Sequence, residues 1–381
     1  MSLVIDKQTL DDLNIFGKRD SVYAMFNRTH TRGGAALLEQ FFRYPLSDQE
    51  RINERSRTIR YFKDHAITFP FRADLFDAAE QYLDNTDERS RLSHSENNLG
   101  RKFNNMIGAD TEYQQKVKGM ASIVEILITL QSFVETLAID VEPIQQLLRA
   151  IPLQETLPFK PDYNKAVEYD RLLRFQYREQ VKTLLHHIYV MDVYISVAAV
   201  AEQRGLVFPT ALHSHAHLLH LEGLYHPKLA NAVANDLHMA PGSNIVFLTG
   251  ANMAGKSTFM KSLGIALFLA HTGFPVPAKK MEFSVCDALL TTINLPDDLN
   301  MGYSHFYTEV LRVKKMAQQL AKSKNLFIIF DELFRGTNVK DAYEATVAIT
   351  TAFAASPHCN FVVSTHIMEA GETLMKQCDN I

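Results

Sequence analysis

From Glu112 to about Glu142, apolar residues fall at Val117, Met120, Val124, Leu127, Leu130, Val134 and Leu137. Steps of three and four keep them on one face of a helix. Pro143 should kink or end that helix, and Pro152 to Pro161 break the chain again. A second stripe follows at Tyr177, Val181, Leu184, Ile188, Met191, Ile195 and Ala198, within a helix predicted over about 164–204. At 1.5 Å per residue its roughly 40 residues would form a rod of about 60 Å. Two such helices joined by a proline-rich bend suggest a lever or antiparallel arm. Residues 1 to about 110 hold short apolar clusters among charges, with a helix start at Ser47-Asp48 before Glu50, and read as a mostly helical bundle. After Gly205 the pattern changes. Short apolar runs at Asn244–Leu248, Leu326–Phe330 and Phe361–Ser364 alternate with helix-like segments, as in a parallel sheet. The expected fold class is therefore α + α/β, with a helical domain over 1–205 and an α/β domain over 206–381.

With 381 residues, 46% hydrophobic and 22% charged, the chain is a folded protein of two or three domains. Lys plus Arg number 39 against 43 for Asp plus Glu, a net charge of -4. Any nucleic-acid contact must therefore come from a local basic patch. Cys286, Cys359 and Cys378 show no CxxC spacing, which argues against a disulfide framework or a zinc ribbon. Asp6 and Lys7 interrupt the start before any signal-length apolar core, and no apolar run approaches the roughly 18 residues of a bilayer span. A cytoplasmic protein with no membrane segment is expected.

The run Asn244 to Thr249 leads into Gly250-Ala-Asn-Met-Ala-Gly255-Lys256-Ser257, and an apolar-periodic helix continues from there. This is GxxxxGK[ST] in a strand–loop–helix context. Backbone N–H groups can wrap a phosphate at the helix N-terminus, Lys256 adds a compact charge, and Ser257 offers a hydroxyl to Mg²⁺. Downstream, Leu326 to Phe330 ends in Asp331-Glu332, where one carboxylate can hold Mg²⁺ through water and the next can polarise an attacking water. Ser364-Thr365-His366 closes the following predicted strand and places an imidazole where it could sense the γ-phosphate. Alone, a histidine at a strand end is more often structural.

Together these residues resemble the MutS family of DNA mismatch-repair ATPases. Thr249-Gly-Ala-Asn-Met-Ala-Gly-Lys-Ser-Thr258 is similar to that family's TGPNMGGKST. Asp297-Asp298-Leu299 with Gly302-Tyr-Ser304-His-Phe306 and Glu309 resembles its DDLxxGxSTFMxEM. Asp331 to Thr337 resembles DEIGRGT, and Thr365-His366 its TH switch. In the helical half, Thr29 to Ala35, Leu37-Leu38 and Pro45 to Asp48 are similar to the opening of the family's core or lever domain. The resemblance implies an ABC-type P-loop ATPase acting as a dimer on DNA, with ATP and Mg²⁺. It implies phosphate contacts from Gly250, Asn252, Met253, Ala254, Gly255, Lys256, Ser257 and Thr258, with Ser304 reaching across from the partner. Ser257 and Asp331 would serve the metal, Glu332 would orient the attacking water, and His366 would report phosphate loss.

The departures carry expectations too. The family's mismatch-reading module, with its Phe-x-Glu wedge, has no counterpart here, and the stretch from Pro45 to His226 is shorter than the family's lever plus clamp. Ala232 stands where an aromatic residue usually stacks on adenine, and Phe334 replaces a glycine, where it is expected to fill a gap against the partner. The chain stops 15 residues past His366, before the family's closing strands and dimerising helices. An ATP-gated protein scaffold without direct DNA contact is the alternative, favoured by the acidic balance. Outside the motifs, His213, His215 and His217 would share one face of a strand, with His220 near, but no Asp, Glu or Cys of ligand spacing supports a metal there. Arg51, Arg55, Arg57, Arg60 and Lys63 read as a solvated helix face rather than a phosphate track, and Phe41, Phe42 and Tyr44 around Arg43 as core packing.

Overall fold

A computed structural model describes residues 2–17, 19–93, 107–251, 254–294, 305–322, 325–334 and 336–381. The helices are α1 (Lys7–Asp12), α2 (Val22–Phe26), α3 (Arg32–Arg43), α4 (Gln49–Asp64), α5 (Asp74–Asp84), α6 (Ile107–Glu135), α7 (Glu142–Ala150), α8 (Tyr163–Asp170), α9 (Arg178–Arg204), α10 (Lys256–Thr272), α11 (His305–Leu320), α12 (Val339–Ala354) and α13 (Met368–Gln377). The strands are β1 (Val4–Ile5), β2 (Thr210–Leu212), β3 (Leu219–Leu224), β4 (Asn235–Met239), β5 (Ile245–Thr249), β6 (Lys280–Ser284), β7 (Ala288–Thr292), β8 (Leu326–Phe330) and β9 (Asn360–Thr365). The chain forms two compact units, one from 1–27, 39–65 and 197–381, the other from 28–38 and 66–196. This division differs from the boundary at 205 expected from the sequence, because two N-terminal stretches belong with the α/β part.

In the α/β unit, β1, β7, β8, β9 and β5 form a five-stranded sheet in that order, parallel throughout. β7 and β8 are buried at every position, which explains their unbroken apolar or threonine runs. A second, four-stranded sheet runs β2-β6-β3-β4, with β2 parallel to β6 and the other pairs antiparallel. Residues 1–110 are mostly helical, as expected, with the two-residue β1 added beside β7. Side chains from the next turn lock that strand in place. Thr9 Oγ1 accepts the N–H of Thr291 at 2.9 Å, and Asp12 accepts the Thr291 hydroxyl at 2.6 Å. Asp6 caps α1 through the N–H of Thr9 and pairs with Arg312 and Lys315. Burial alone would raise the Asp6 pKa, but hydrogen bonds and charge from Arg312, with Lys315 and the Thr9 N–H, outweigh it and hold the carboxyl well below the usual range.

At the far end of α10, His271 is fully buried. Its Nδ1 lies 2.7 Å from the carbonyl of Leu46 and its Nε2 lies 3.2 Å from Cys286 Sγ. Burial pushes the imidazole pKa down to about 4 and the Cys286 thiol up. The pair is thus neutral and structural, tying the turn after α3 to the start of β7.

The helical unit centres on α5, α6, α8 and most of α9. Gly34, in the first turn of α3, approaches α9 so closely that an added Cβ would lie 2.3 Å from Asp192 Oδ2. The buried Asp192 carboxylate accepts the N–H groups of His30 and Thr31, each at 2.9 Å, and the Thr31 hydroxyl at 2.7 Å. The helix expected over 112–142 runs Ile107–Glu135 instead. The Thr136 hydroxyl takes the Phe133 carbonyl at 2.7 Å, and Pro143 lies in the first turn of α7 rather than ending α6. The 60 Å rod is likewise divided, because a π-helical turn over Arg171–Gln176 separates α8 from α9. That turn presents Arg174 inward, where it pairs with Asp170 at 2.7 Å with both side chains fully buried. Asp170 also accepts the Tyr82 hydroxyl at 2.8 Å and the N–H of Leu92 at 3.0 Å. By length and composition alone the Thr111–Glu135 and Arg178–Arg204 helices are apolar enough to cross a membrane. Burial of 50% and 67% of those windows inside the fold is that of core helices.

Two outcomes follow. His271 lowers stability only where the unfolded chain takes up a proton and the folded one does not, so its contribution is full above pH 6.5 and lost as pH falls towards 4. Denaturant titrations across that range should show a stability loss about 3 kcal/mol larger in the wild type than in His271→Asn. Asp170→Ala strands a buried guanidinium and should cost about 3–5 kcal/mol in the same assay, whereas replacing both partners with apolar residues should cost much less.

Candidate functional site

Because the five strands run the same way, their C-terminal ends open on one edge of the sheet. Thr249 of β5 is in register with Thr365 of β9, and Phe330 of β8 lies between Thr292 of β7 and Val363 of β9. The loop after β5, the acids after β8 and the histidine after β9 therefore share that edge, where parallel sheets place their ligands.

Gly250 and Gly255 adopt φ of 145° and 92°, conformations that L side chains rarely take. Gly255 directly precedes α10, so the loop delivers its chain onto the helix N-terminus. Lys256 Nζ donates to the carbonyls of Gly250 at 2.7 Å and Ala251 at 3.1 Å. The ammonium is thus held over the loop mouth. Ala254, Ser257 and Thr258 are exposed. Asn252 and Met253 lie outside the described residues, as does Ser304.

The chain leaving β8 is pinned on both sides. The N–H of Asp331 donates to Thr292 O at 2.8 Å, and that of Glu332 to Ser364 O at 3.0 Å. Asp331 Oδ1 accepts the Ser364 hydroxyl at 2.7 Å. Glu332 takes a left-handed φ of 50°, and its Oε1 lies 2.5 Å from His366 Nε2, an ion pair whenever the ring is protonated. In the sequence Ser364 stands only as the polar end of an apolar run; the paired strands give its hydroxyl the Asp331 carboxylate as acceptor. Phe334 also has a positive φ, 62°, an unfavourable conformation for a bulky residue. Its side chain is 2% exposed, in the core cluster, and its ring lies 5.8 Å from that of Phe306 in α11. The expectation that Phe334 fills a gap against a partner is therefore corrected: it fills its own core.

Beside the loop opens a cleft of about 700 Å³. Lys256, Thr258 and Thr249 line one end, and Leu229, Ala232 and Val233 line another part. Asp236 Oδ1 accepts the N–H of Gly223 at 2.6 Å and secures that wall. Leu229 and Val233 are exposed hydrophobics at 52% and 81%; Val233 directly follows Ala232 of the expected base-contacting stretch, whereas Leu229 lies in no motif.

The other candidates resolve differently. His213 and His215 stack on each other at 4.6 Å across a short 3₁₀ turn, and His217 stacks on His358 at 4.8 Å, so the three imidazoles do not share a strand face. Among the described residues, no group of three or more His, Cys, Asp and Glu could hold a metal ion. Arg55 donates to Thr272 O at 2.7 Å and lies 3.9 Å from the Phe41 ring centroid, while Lys63 pairs with Glu202. These cations are structural. Phe42 is wholly buried, as expected, whereas Tyr44 is 66% exposed and is not core.

Comparison with known proteins matches the family model of MutS domain III to residues 8–198 and that of MutS domain V to residues 246–381. The DNA mismatch repair protein MutS of Leuconostoc citreum is 35% identical over 196 residues, covering 50% of this chain and 22% of that protein. That of Staphylococcus epidermidis is 33% identical over 219 residues, 54% of this chain and 25% of that protein. That of Petrotoga mobilis is 23% identical over 474 residues, 96% of this chain and 57% of that protein. The matched part thus spans from under a quarter to just over half the length of these relatives. The Petrotoga alignment is longer than the 381 residues of this chain, so that relative carries residues with no counterpart here. With domain III matched across half of the sequence and domain V across most of the remainder, the chain belongs to the MutS family.

Proposed function

We propose that this chain binds ATP with Mg²⁺ at the loop over 250–258 and hydrolyses it, and that nucleotide state drives helical levers on DNA. In this reading it acts as a dimer in the cytoplasm and receives Ser304 from the partner at each nucleotide. The observation that carries the reading is the shared sheet edge. Left-handed Gly250 and Gly255 with Lys256 face the same edge as Asp331, Glu332 and His366.

The residues present fit the nucleotide and its metal. A cleft of about 700 Å³ lies within the range of roughly 300–1,000 Å³ for small-molecule sites, and its polar end is the phosphate loop. Phosphate oxygens would replace the Gly250 and Ala251 carbonyls as acceptors for Lys256. The Ser257 hydroxyl and the Asp331 carboxylate, which Ser364 orients, are the groups that would serve Mg²⁺, the latter through water. The metal would supply charge neutralisation on the phosphates. Glu332 would orient the attacking water. His366, bonded to that carboxylate, links β9 to it, so a change at the phosphate can reach both strand ends. Ala232 offers no ring to the base, leaving aliphatic contact from Leu229 and Val233. The DNA link is supported by the similar proteins, each a DNA mismatch repair protein.

Nucleotide binding and steady-state turnover of three variants test this. Lys256→Ala should lose ATP binding. Glu332→Gln should bind ATP normally while turnover falls by about 10²-fold or more, and unchanged turnover would remove Glu332 from the mechanism. His366→Ala should lower kcat with little effect on ATP affinity.

A further inference from the structure

The four-stranded sheet carries an outward row that the nucleotide site does not use. His220 of β3 is the direct cross-strand partner of His238 of β4, and Glu282 of β6 faces His220 from the other side. Strand alternation places Leu219, Leu221 and Met239 inward, leaving His220, Glu222 and His238 on the accessible face. The two Nδ1 atoms are 3.3 Å apart, and the rings are inclined at 73°. Two nitrogens bound about 2.0–2.1 Å from Zn²⁺ at a tetrahedral angle are also about 3.3 Å apart. The two ring edges therefore already converge at the separation of a chelating pair.

The proton arrangement agrees. His220 Nε2 lies 2.8 Å from Glu222 Oε1. A carboxylate there accepts the Nε2–H, which leaves the His220 Nδ1 lone pair pointing to His238. This carboxylate–histidine pairing is the one that orients metal-bound imidazoles and raises their basicity. Without metal the His238 Nδ1–H donates to His220 Nδ1; His238 is exposed, so on metal binding its proton can move to Nε2 and free that Nδ1. Glu282 is held by Lys280 at 3.2 Å, which leaves the remaining coordination positions to water. The other histidine pair lacks this geometry. His217 Nε2 and His358 Nδ1 are 3.2 Å apart, but their rings are stacked at only 30°, so the in-plane lone pairs run side by side rather than converging.

We propose that His220 and His238 chelate a divalent first-row transition cation, with Zn²⁺ as the reference ligand and Glu222 as the outer-shell carboxylate. Imidazole nitrogens select such ions over Mg²⁺, so the site is chemically separate from the nucleotide's metal.

The test is calorimetric titration of the untagged 381-residue chain with ZnCl₂ in excess MgCl₂. One Zn²⁺ per chain should bind; His220→Ala and His238→Ala should each weaken it by tenfold or more, and Glu222→Gln by about tenfold. His217→Ala should leave the affinity unchanged. These are exposed sheet positions, and circular dichroism confirms that each variant is folded. Absence of Zn²⁺ binding by the wild type, equal affinity in the His220 and His238 variants, or loss on His217→Ala instead would overturn the assignment. Failure of ATP hydrolysis would leave the chelate unaffected, since neither histidine belongs to the loop or the strand-end acids.

Discussion

The backbone leaving β8 is hydrogen-bonded to both neighbouring strands, and the position of the acidic pair depends on those bonds. Asp331 donates to Thr292 on one side and Glu332 to Ser364 on the other, while the Ser364 hydroxyl holds the Asp331 carboxylate. Two carboxylates side by side repel, and a left-handed glutamate is costly. Both persist because the flanking strands fix the turn. The all-parallel sheet then brings the glycine loop after β5 and His366 to that edge without further devices.

The N-terminal segment serves the same sheet from outside it. β1 extends the sheet beside β7, and Thr9, Asp12 and Asp6 satisfy polar groups around Thr291 and Arg312. His271 and Leu46 make a second tie between early chain and late chain. The α/β unit is therefore closed by residues more than two hundred positions away, and a cut at residue 205 would remove part of its core. In the helical unit the comparable burden falls on Asp170 with Arg174 and on Asp192, buried carboxylates whose partners come from backbone N–H groups as well as side chains.

Much of this was legible in the sequence where the chemistry is local. The strands at 245–249, 326–330 and 360–365 announce themselves as short apolar runs, and the glycines of the loop announce its left-handed turns. Long-range effects were not legible. The two-residue β1 is too short for any periodicity and forms only because β7 offers an edge. The interruption at Arg171–Gln176 leaves the apolar stripe intact, so spacing alone predicts one continuous rod. Phe334 was expected to face a partner because the motif suggests a glycine, whereas it packs into the core cluster with Phe306 among its neighbours. Ser364 and the cleft wall at Leu229 and Val233 became visible only once the strands were paired.

Coupling between nucleotide and DNA is best tested by steady-state ATP hydrolysis with no DNA and with duplex, branched and single-stranded DNA, at low and raised salt. Hydrolysis stimulated by one DNA form, with stimulation falling as salt rises, is the expected result, since phosphate contacts weaken with counterion concentration. Hydrolysis unchanged by every DNA at both salts would contradict the DNA-linked motor and favour an ATP-gated scaffold for another protein.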